Sequence, residues 1–433
     1  MERSLWKTKD LLPGYPPLDG DVQTDVLIIG GGLAGILTAY ELEQAGVNYL
    51  LIEADTLCSG VTGNTTAKVT SQHGLIYSKL IRTMGEERAG LYWKANEQAM
   101  GRIRQLAQRF SCDFETQDAY VYSKDRPDKL EREMKALERL KIPAQYEREV
   151  PLPFHVAGAV RFREQGQFHP LKFAAGLSKG LNIREHTTAI SIKKGRVQTT
   201  GGTIKASRVI VTTHFPFLNK HGSYFMKLYQ DRSYVLALER VPQMDGMYLE
   251  EGQGGLSFRF YGSQLLLGGG GHRTGKQGGG WAELEAAARR YYPDSSVRMR
   301  WATQDCMTLD SVAYIGQYSA STPELYVATG FNKWGMTTSM VAAQLLCDTI
   351  QGKENPYTQL YSPSRTMLRP QLLVNVGESA VNLLTPTVPR CPHMGCALKW
   401  NPQEHTWDCP CHGSRFSRKG KRLDNPAKRG LKR

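Results

Sequence analysis

The sequence predicts a chain of α/β and α+β class: a nucleotide-binding unit with a mixed-sheet lobe inserted into it, then a small all-β unit. Three observations carry this. A glycine-rich turn at 30–35 stands between an apolar strand and an apolar helix. Strand-like runs, some alternating and some fully apolar, recur between residues 196 and 330. Four of the eight cysteines then fall within residues 391–411, with histidines beside them. At 433 residues there is room for about three units of ~150 residues each.

In chain order, residues 1–21 hold Pro13, Pro16 and Pro17 and are expected to form an extended N-terminal arm. Residues 25–29 read as a buried strand. Leu33, Ile36, Leu37 and Tyr40 follow at helical spacing, Gly46 ends that helix, and 47–52 form a second buried strand. Residues 85–110 and 127–140 read as helices, the latter charged and superficial. The hairpin-like run 196–204 leads into a strand at 209–211, and strand patterns at 234–238 and 265–267 mark the mixed-sheet lobe. Residues 325–330 return to a buried strand, followed by a helix at 336–350. This organisation makes 22–352 one domain, 353–370 a polar, proline-punctuated linker, and 371–433 the last domain.

Composition excludes several classes. The 40% apolar and 22% charged fractions are those of a soluble globular protein rather than a disordered chain. The longest apolar run, 26–40, contains four glycines and is too short to cross a bilayer. The polar opening lacks a signal pattern, so a cytoplasmic location without a membrane span is expected. The net charge of +14 is uneven: residues 357–433 carry 13 Lys or Arg against 4 Asp or Glu. That excess is either a solubilising surface or a docking face for an acidic redox partner protein. No reader motif accompanies it, so nucleic acid is not expected. Cys58, Cys112, Cys306 and Cys347 are scattered and read as small buried hydrophobes. The clustering of Cys391, Cys396, Cys409 and Cys411 points instead to a metal.

Gly30-Gly31-Gly32-Leu33-Ala34-Gly35 fits G-x-G-x-x-G. Gly30 permits the tight turn, Gly32 lets the backbone approach a pyrophosphate, and Gly35 lets helix and strand pack closely. The helix N-terminus faces the phosphate charge. Glu53 ends the next strand, where it can bind ribose hydroxyls. The unit is therefore Rossmann-like. After the acid, residues 59–68 supply backbone and hydroxyl donors, with Thr62, Thr65, Ala67 and Lys68 as cofactor-binding candidates. Late in the chain, Gly330-Phe331-Asn332-Lys333-Trp334-Gly335-Met336-Thr337 opens another helix.

In combination these segments resemble the D-amino-acid and glycine oxidase superfamily of flavoproteins, over roughly residues 20–350. The resemblance implies FAD. It implies that Gly330, Gly335, Met336 and Thr337 lie at the flavin pyrimidine end, their helix dipole stabilising negative charge on the reduced ring. It also implies that Thr188-Ala189-Ile190 belongs to the strand whose backbone meets adenine. His272 and Arg273 would then face the flavin from the substrate lobe, Arg273 pairing with a substrate carboxylate. Their turn, 270–276, mimics the start of a phosphate loop. Gln277 follows where a Mg²⁺-binding hydroxyl is needed, so an ATPase is rejected. Tyr234, Lys333 and His73 complete the candidate catalytic set.

At the C-terminus, Cys391-Pro392-His393-Met394-Gly395-Cys396 is followed by Cys409-Pro410-Cys411-His412-Gly413-Ser414. Cys391 and Cys409 are spaced to hold one iron of a [2Fe-2S] cluster, and His393 and His412 the other. Zinc also accepts two Cys and two His, but zinc fingers group their cysteines together and their histidines together. Here each half contributes one of each. The motif resembles the Rieske domains of cytochrome bc complexes. That resemblance implies a disulfide between Cys396 and Cys411 and a hydrogen bond from Ser414 to a bridging sulfide. Phe416 stands where high-potential relatives carry tyrosine, which implies a lower potential. Residues 371–384 are expected to supply strands of an abbreviated domain that leans on the flavin unit.

The chain as a whole resembles bacterial fusions of an oxidase-like FAD domain to a Rieske domain. The implied function is oxidation of a small amine, amino acid or hydroxy acid, with electrons passing from FAD to the cluster and on to a soluble acceptor. The alternative is an electron-transfer relay or redox sensor with no small-molecule substrate of its own.

Overall fold

The computed structural model describes every residue except 1–2, 9–10, 219–220, 253, 387–388 and 432–433. The expected arm and last domain therefore lie partly outside the described residues.

The first apolar run forms the strand Val22–Ile29, inside an eight-stranded sheet. The order across its main path is Tyr314–Gln317, Leu325–Thr329, Thr203–Val211, Val22–Ile29, Tyr49–Ile52, Ile183–Arg184. The last five of these strands run parallel, and Tyr314–Gln317 pairs antiparallel at the edge. The hairpin Ala189–Lys193 with Arg196–Thr199 extends from Thr203–Val211. Fully apolar strands suit a sheet covered on both faces. Val26, Ile28 and Ile210 join one core, whereas Leu27, Ile29 and Val211 join another. Helices Leu33–Gln44 and Gly335–Gln351 pack together against the first face. Each follows the C-terminal end of a parallel strand, so both N-termini open at the same end of the sheet.

The second lobe is a nine-stranded sheet. Its path runs Ser296–Thr308, Leu228–Glu239, Gln264–Arg273, Ser257–Tyr261, Met247–Glu250, Glu115–Ser123, Gly158–Gln167, Lys68–Val69. Met247–Glu250 pairs with Glu115–Ser123 in parallel amid antiparallel neighbours, which makes the sheet mixed as expected. The lobe is interleaved rather than inserted once, because the nucleotide-sheet strands at 183–211 interrupt it.

The C-terminal unit is a four-stranded antiparallel meander of Lys399–Asn401, Thr406–Asp408, Arg415–Ser417 and Arg422–Asp424. Its small core includes Leu398, Phe416 and Ala427 together with the four clustered cysteines. Residues 371–384 correct the sequence reading: they form the helix Pro370–Leu384, not strands. Pro370 sits in the first turn, where its missing N–H costs nothing. Asn375, Glu378 and Asn382 recur three and four residues apart on the face that meets the protein. Asn375 accepts a hydrogen bond from Arg273 Nη1 at 3.0 Å and donates to Met226 O at 3.1 Å, while Glu378 pairs with Lys276. The apolar runs that looked strand-like, with Leu373 and Val381, face outward.

Two expected connectors are docked. Trp6 in the arm is fully buried and donates its ring N–H to Thr65 O at 2.7 Å. In the linker Tyr361 is buried, and Arg365 holds Asp310 through hydrogen bonds of 2.7 and 2.8 Å. Among the described residues no helix is long and apolar enough to cross a membrane.

Candidate functional site

Residues of both large lobes line a cavity of about 1410 Å³. Pockets for small molecules usually run ~300–1,000 Å³, so this one has room for a dinucleotide and a substrate together. Gly30, Gly32, Glu53, Thr62, Thr65, Lys68, Ile190, Gly330, Gly335 and Met336 line it, whereas Gly35, Ala67 and Thr337 do not. The glycines of the first turn divide by cause. A Cβ on Gly35 would stand 1.9 Å from Gly30 O, so the chain's own packing excludes one. On Gly32 the nearest protein atom would be Thr62 Oγ1 at 3.5 Å, an ordinary contact. No close contact within the protein requires glycine there, whereas a phosphate against the backbone would.

The surrounding loop is fixed by hydrogen bonds. Glu53 accepts from Gly31 N at 2.6 Å and from Asp55 N at 2.9 Å, and burial pushes its pKa up. Thr62 Oγ1 accepts from Leu33 N at 3.0 Å. Arg259, wholly buried, donates to Thr66 O at 2.6 Å and Ala67 O at 3.0 Å. Burial, and then the Arg259 charge, lower the Lys68 pKa to about 7. At the far end Gly330, Asn332 and Lys333 have φ of +71°, +51° and +73° just before the helix Gly335–Gln351. Asn332 stabilises this strained turn by accepting from Thr308 N at 2.8 Å and donating to Gly330 O at 2.7 Å. Such strain persists where surrounding contacts over-determine it, as at binding sites.

His73, Tyr234 and Lys333 line the cavity. His73 has both ring nitrogens engaged, by Tyr92 OH at 2.6 Å and by Thr70 O at 2.8 Å, and burial lowers its pKa to about 3. Tyr234 directs its hydroxyl to Glu404 at 3.0 Å, out of the cavity and into the C-terminal unit. The Lys333 ammonium donates to Ser233 Oγ at 3.1 Å and lies 3.9 Å from Asp231. His272 and Arg273 are a correction, for they do not line the cavity. His272 stacks on Tyr234, and Arg273 reaches Pro410 O at 3.3 Å and Asn375. The physical reason is the short C-terminal domain, whose loop and preceding helix occupy the space beyond strand Gln264–Arg273.

Strands Leu228–Glu239 and Ser296–Thr308 form a wall between the cavity and the cysteine–histidine loops. Successive strand residues point to opposite faces. Tyr229, Asp231 and Ser233, with Thr303 and Asp305, line the cavity. From the other face Gln230 donates to His412 O at 2.9 Å, and Gln304 donates to Gly413 O at 2.9 Å. Arg232, between them, forms a buried pair with Glu404. Glu404 also meets Arg415 at 2.7 Å. Although burial alone would raise it, Arg232 and Arg415 hold the Glu404 carboxyl down at about 2.

The two loops share one turn. Cys391 N donates to Cys396 O at 2.8 Å and Gly395 N to Cys391 O at 2.9 Å; Cys409 N donates to Ser414 O at 2.9 Å and Gly413 N to Cys409 O at 2.9 Å. The Cys396–Cys411 disulfide ties the loops together. The His393 and His412 rings lie 4.9 Å apart. His412 is buried with an unpartnered ring nitrogen, the condition that binding a metal through that nitrogen would satisfy. Burial lowers His412 to about 3; burial and then Lys428 lower His393 to about 4, so both imidazoles are neutral as ligation requires. A hydrogen bond from Cys409 lowers the Cys391 thiol to about 7, and the same bond, then burial, raises Cys409. The donor set fits a [2Fe-2S] cluster with Cys391 and Cys409 on one iron and His393 and His412 on the other.

The FAD dependent oxidoreductase family model matches residues 25–349, and the Rieske [2Fe-2S] domain model matches residues 371–433. The chain belongs to the FAD dependent oxidoreductase family. It is an FAD-dependent oxidoreductase carrying a Rieske [2Fe-2S] domain. A Bacillus subtilis (strain 168) relative, YhfW, described as a Rieske 2Fe-2S iron-sulfur protein, is 36% identical over 495 aligned positions, covering 99% of this chain and 97% of that protein. The alignment is longer than the 433 residues here, so that relative carries extra segments. In fold, the chain is similar to glycine oxidase from Geobacillus kaustophilus (TM-score 0.68, 20% identity, 80% of this chain and 99% of that one). It is similar also to L-proline dehydrogenase from P. horikoshii (TM-score 0.66, 16% identity, 81% and 98%).

Sequence reasoning missed Asp231, His214 and Asp305, all of which line the cavity. Asp231 is buried, with Oδ1 unpartnered and its pKa raised by burial. The signal was present: Gln230-Asp231-Arg232-Ser233 is a polar quartet opening an otherwise apolar strand.

Proposed function

We propose that this oxidoreductase oxidises a small amine, amino acid or hydroxy acid and delivers the electrons through its own cluster to a soluble acceptor. The observation that carries this is the wall of Leu228–Glu239 and Ser296–Thr308, whose alternate residues face the cavity and the cluster loops. When bound, FAD accepts a hydride and the [2Fe-2S] centre carries electrons singly. The chain's part is positional. Gly32 and the helix behind it receive the diphosphate, Gly330, Gly335 and Met336 hold the pyrimidine end, and Lys333 and Asp231 shape the space left for substrate. Cys391, His393, Cys409 and His412 hold the cluster. On this reading residues 22–352 and 371–433 are the two functional domains and 353–370 their tether.

The location proposed is cytoplasmic, and the acceptor is an acidic redox protein. All four acids of residues 357–433 are engaged within the chain: Glu378 with Lys276, and Glu404, Asp408 and Asp424 with Arg415. The surplus surface cations are thereby left to an outside partner.

The test is anaerobic mixing of the purified protein with amines, amino acids and 2-hydroxy acids. Flavin bleaching followed by cluster reduction supports the proposal. No bleaching by any of these, with reduction only through another protein, would transfer the case to a relay.

A further inference from the structure

The cavity has one wall that the flavin-binding lobes do not make. Residues 422–428, the last strand of the Rieske domain and the turn after it, all line the cavity. They lie at its nucleotide end. Asn425 Nδ2 donates to Thr213 O at 2.8 Å and to Phe215 O at 3.3 Å, just beyond strand Thr203–Val211. Lys428 Nζ donates to Ile190 O at 3.1 Å and stands over the Phe217 ring. From the other side Ala427 N donates to Ser414 Oγ at 3.0 Å, which fixes the segment to the second cluster loop.

Charge gives this placement a chemical meaning. The flavin-binding lobes offer acids at the nucleotide end, Glu53 and Asp55. The other cations that line the cavity stand elsewhere or are turned back. Lys68 is in the substrate-lobe sheet, Lys79 and Arg82 are on helix Tyr77–Met84, and four more are on helix Pro127–Arg139. Lys333 is bonded to Ser233, and Arg422 donates to Ala427 O at 3.2 Å. Lys7 donates to Ser59 O at 2.9 Å and does not line the cavity. A dinucleotide diphosphate brings two negative charges to a loop that otherwise meets it with backbone N–H groups and a helix dipole. Lys428 is an exposed ammonium held at the nucleotide end by Ile190 O, within the segment that closes this wall of the cavity.

We propose that segment 422–428 of the Rieske domain completes the FAD site, with Lys428 as a positioning residue for the adenosine diphosphate half of the cofactor. This rests on the family's use of FAD and goes beyond it: the cluster domain is then required for flavin retention as well as for electron exit. The cofactors are assembled interdependently, each held partly by the other's domain.

The experiment uses deflavinated full-length protein with its cluster content fixed by visible absorbance and spin quantitation. FAD, ADP and riboflavin are titrated calorimetrically into the parent and into Lys428→Ala, Lys428→Glu and Lys428→Arg. Lys428→Ala is expected to weaken FAD and ADP about tenfold, as loss of one charged contact does. Lys428→Glu should weaken both further, Lys428→Arg should restore them, and riboflavin, which lacks the diphosphate, should bind all forms alike. Unchanged FAD and ADP affinity in Lys428→Ala with the cluster intact would overturn the inference, and so would an equal loss for riboflavin. Failure of the parent to bind FAD would instead strike at the flavoprotein assignment itself.

Discussion

Around the glycine-rich turn the chain is held by a large apolar core: Val26, Ile28, Leu37, Leu51, Met340 and Leu346 all belong to one buried cluster. Around the cluster loops the core is small and half made of cysteines, and the work passes to other forces. There Arg415 meets Glu404, Asp408 and Asp424 at 2.7 to 3.1 Å, a disulfide joins the loops, and Gln230, Arg232 and Gln304 reach in from the neighbouring lobe. The difference teaches how size sets strategy. A unit of this length buries little apolar surface and is marginal by itself, and here it is stapled and leaned against a larger one. That docking also places the cysteine–histidine loops against the wall of the cavity.

The comparison breaks most sharply at Glu404. Glu404→Ala leaves the buried Arg232 without its counter-charge and takes one of three carboxylates from Arg415, and removing one partner of such a buried pair costs about 3–5 kcal/mol. Calorimetry should show the Rieske domain melting separately and earlier, with iron content falling, while the flavin lobes keep their main transition. A single unshifted transition would contradict the account. Next come the two glycines. Gly35→Ala meets Gly30 O and should abolish folding, read as protease sensitivity, whereas Gly32→Ala should fold normally and bind FAD poorly. Equal behaviour of the two variants would remove the evidence for a phosphate at Gly32.

Acid should separate the regions more gently. The Glu404 pKa is depressed to about 2, so its contribution is complete above the ordinary carboxylate value near ~4.3. It is lost as pH falls from there through about 2. Docking of the Rieske domain, followed by cluster reduction after flavin reduction, should therefore survive at pH 5 and fail progressively below pH 4. The smallest effect expected is at Phe416, buried in the cluster core. Phe416→Tyr adds a donor near the cluster sulfur and should raise the midpoint potential in a redox titration, with stability little changed.

Much of this was legible in the sequence, and for identifiable reasons. Gly30 to Gly35, Glu53 and the strands around them follow local periodicity and turn chemistry, which a sequence displays directly. The candidate cluster ligands are equally local, and the two loops that carry them share one turn and a disulfide. Arg273 was misplaced because its surroundings are supplied by residues more than a hundred positions away, at Asn375 and Pro410, and His272 because it stacks on Tyr234 of the neighbouring strand. The helix Pro370–Leu384 was hidden because its polar residues face inward and its apolar ones outward, which inverts the usual pattern. Asp231 and Lys428 escaped notice because neither carries a motif; only the fold brings them to the cavity.

The central claim is that electrons cross the wall of Leu228–Glu239 and Ser296–Thr308 inside one molecule. Flash photoreduction of the flavin under anaerobic conditions, followed at the cluster's visible band over a tenfold range of protein concentration, tests it most directly. Cluster reduction with a first-order rate independent of concentration is the predicted result. A rate that scales with concentration, or a cluster that stays oxidised while the flavin is reduced, would contradict it.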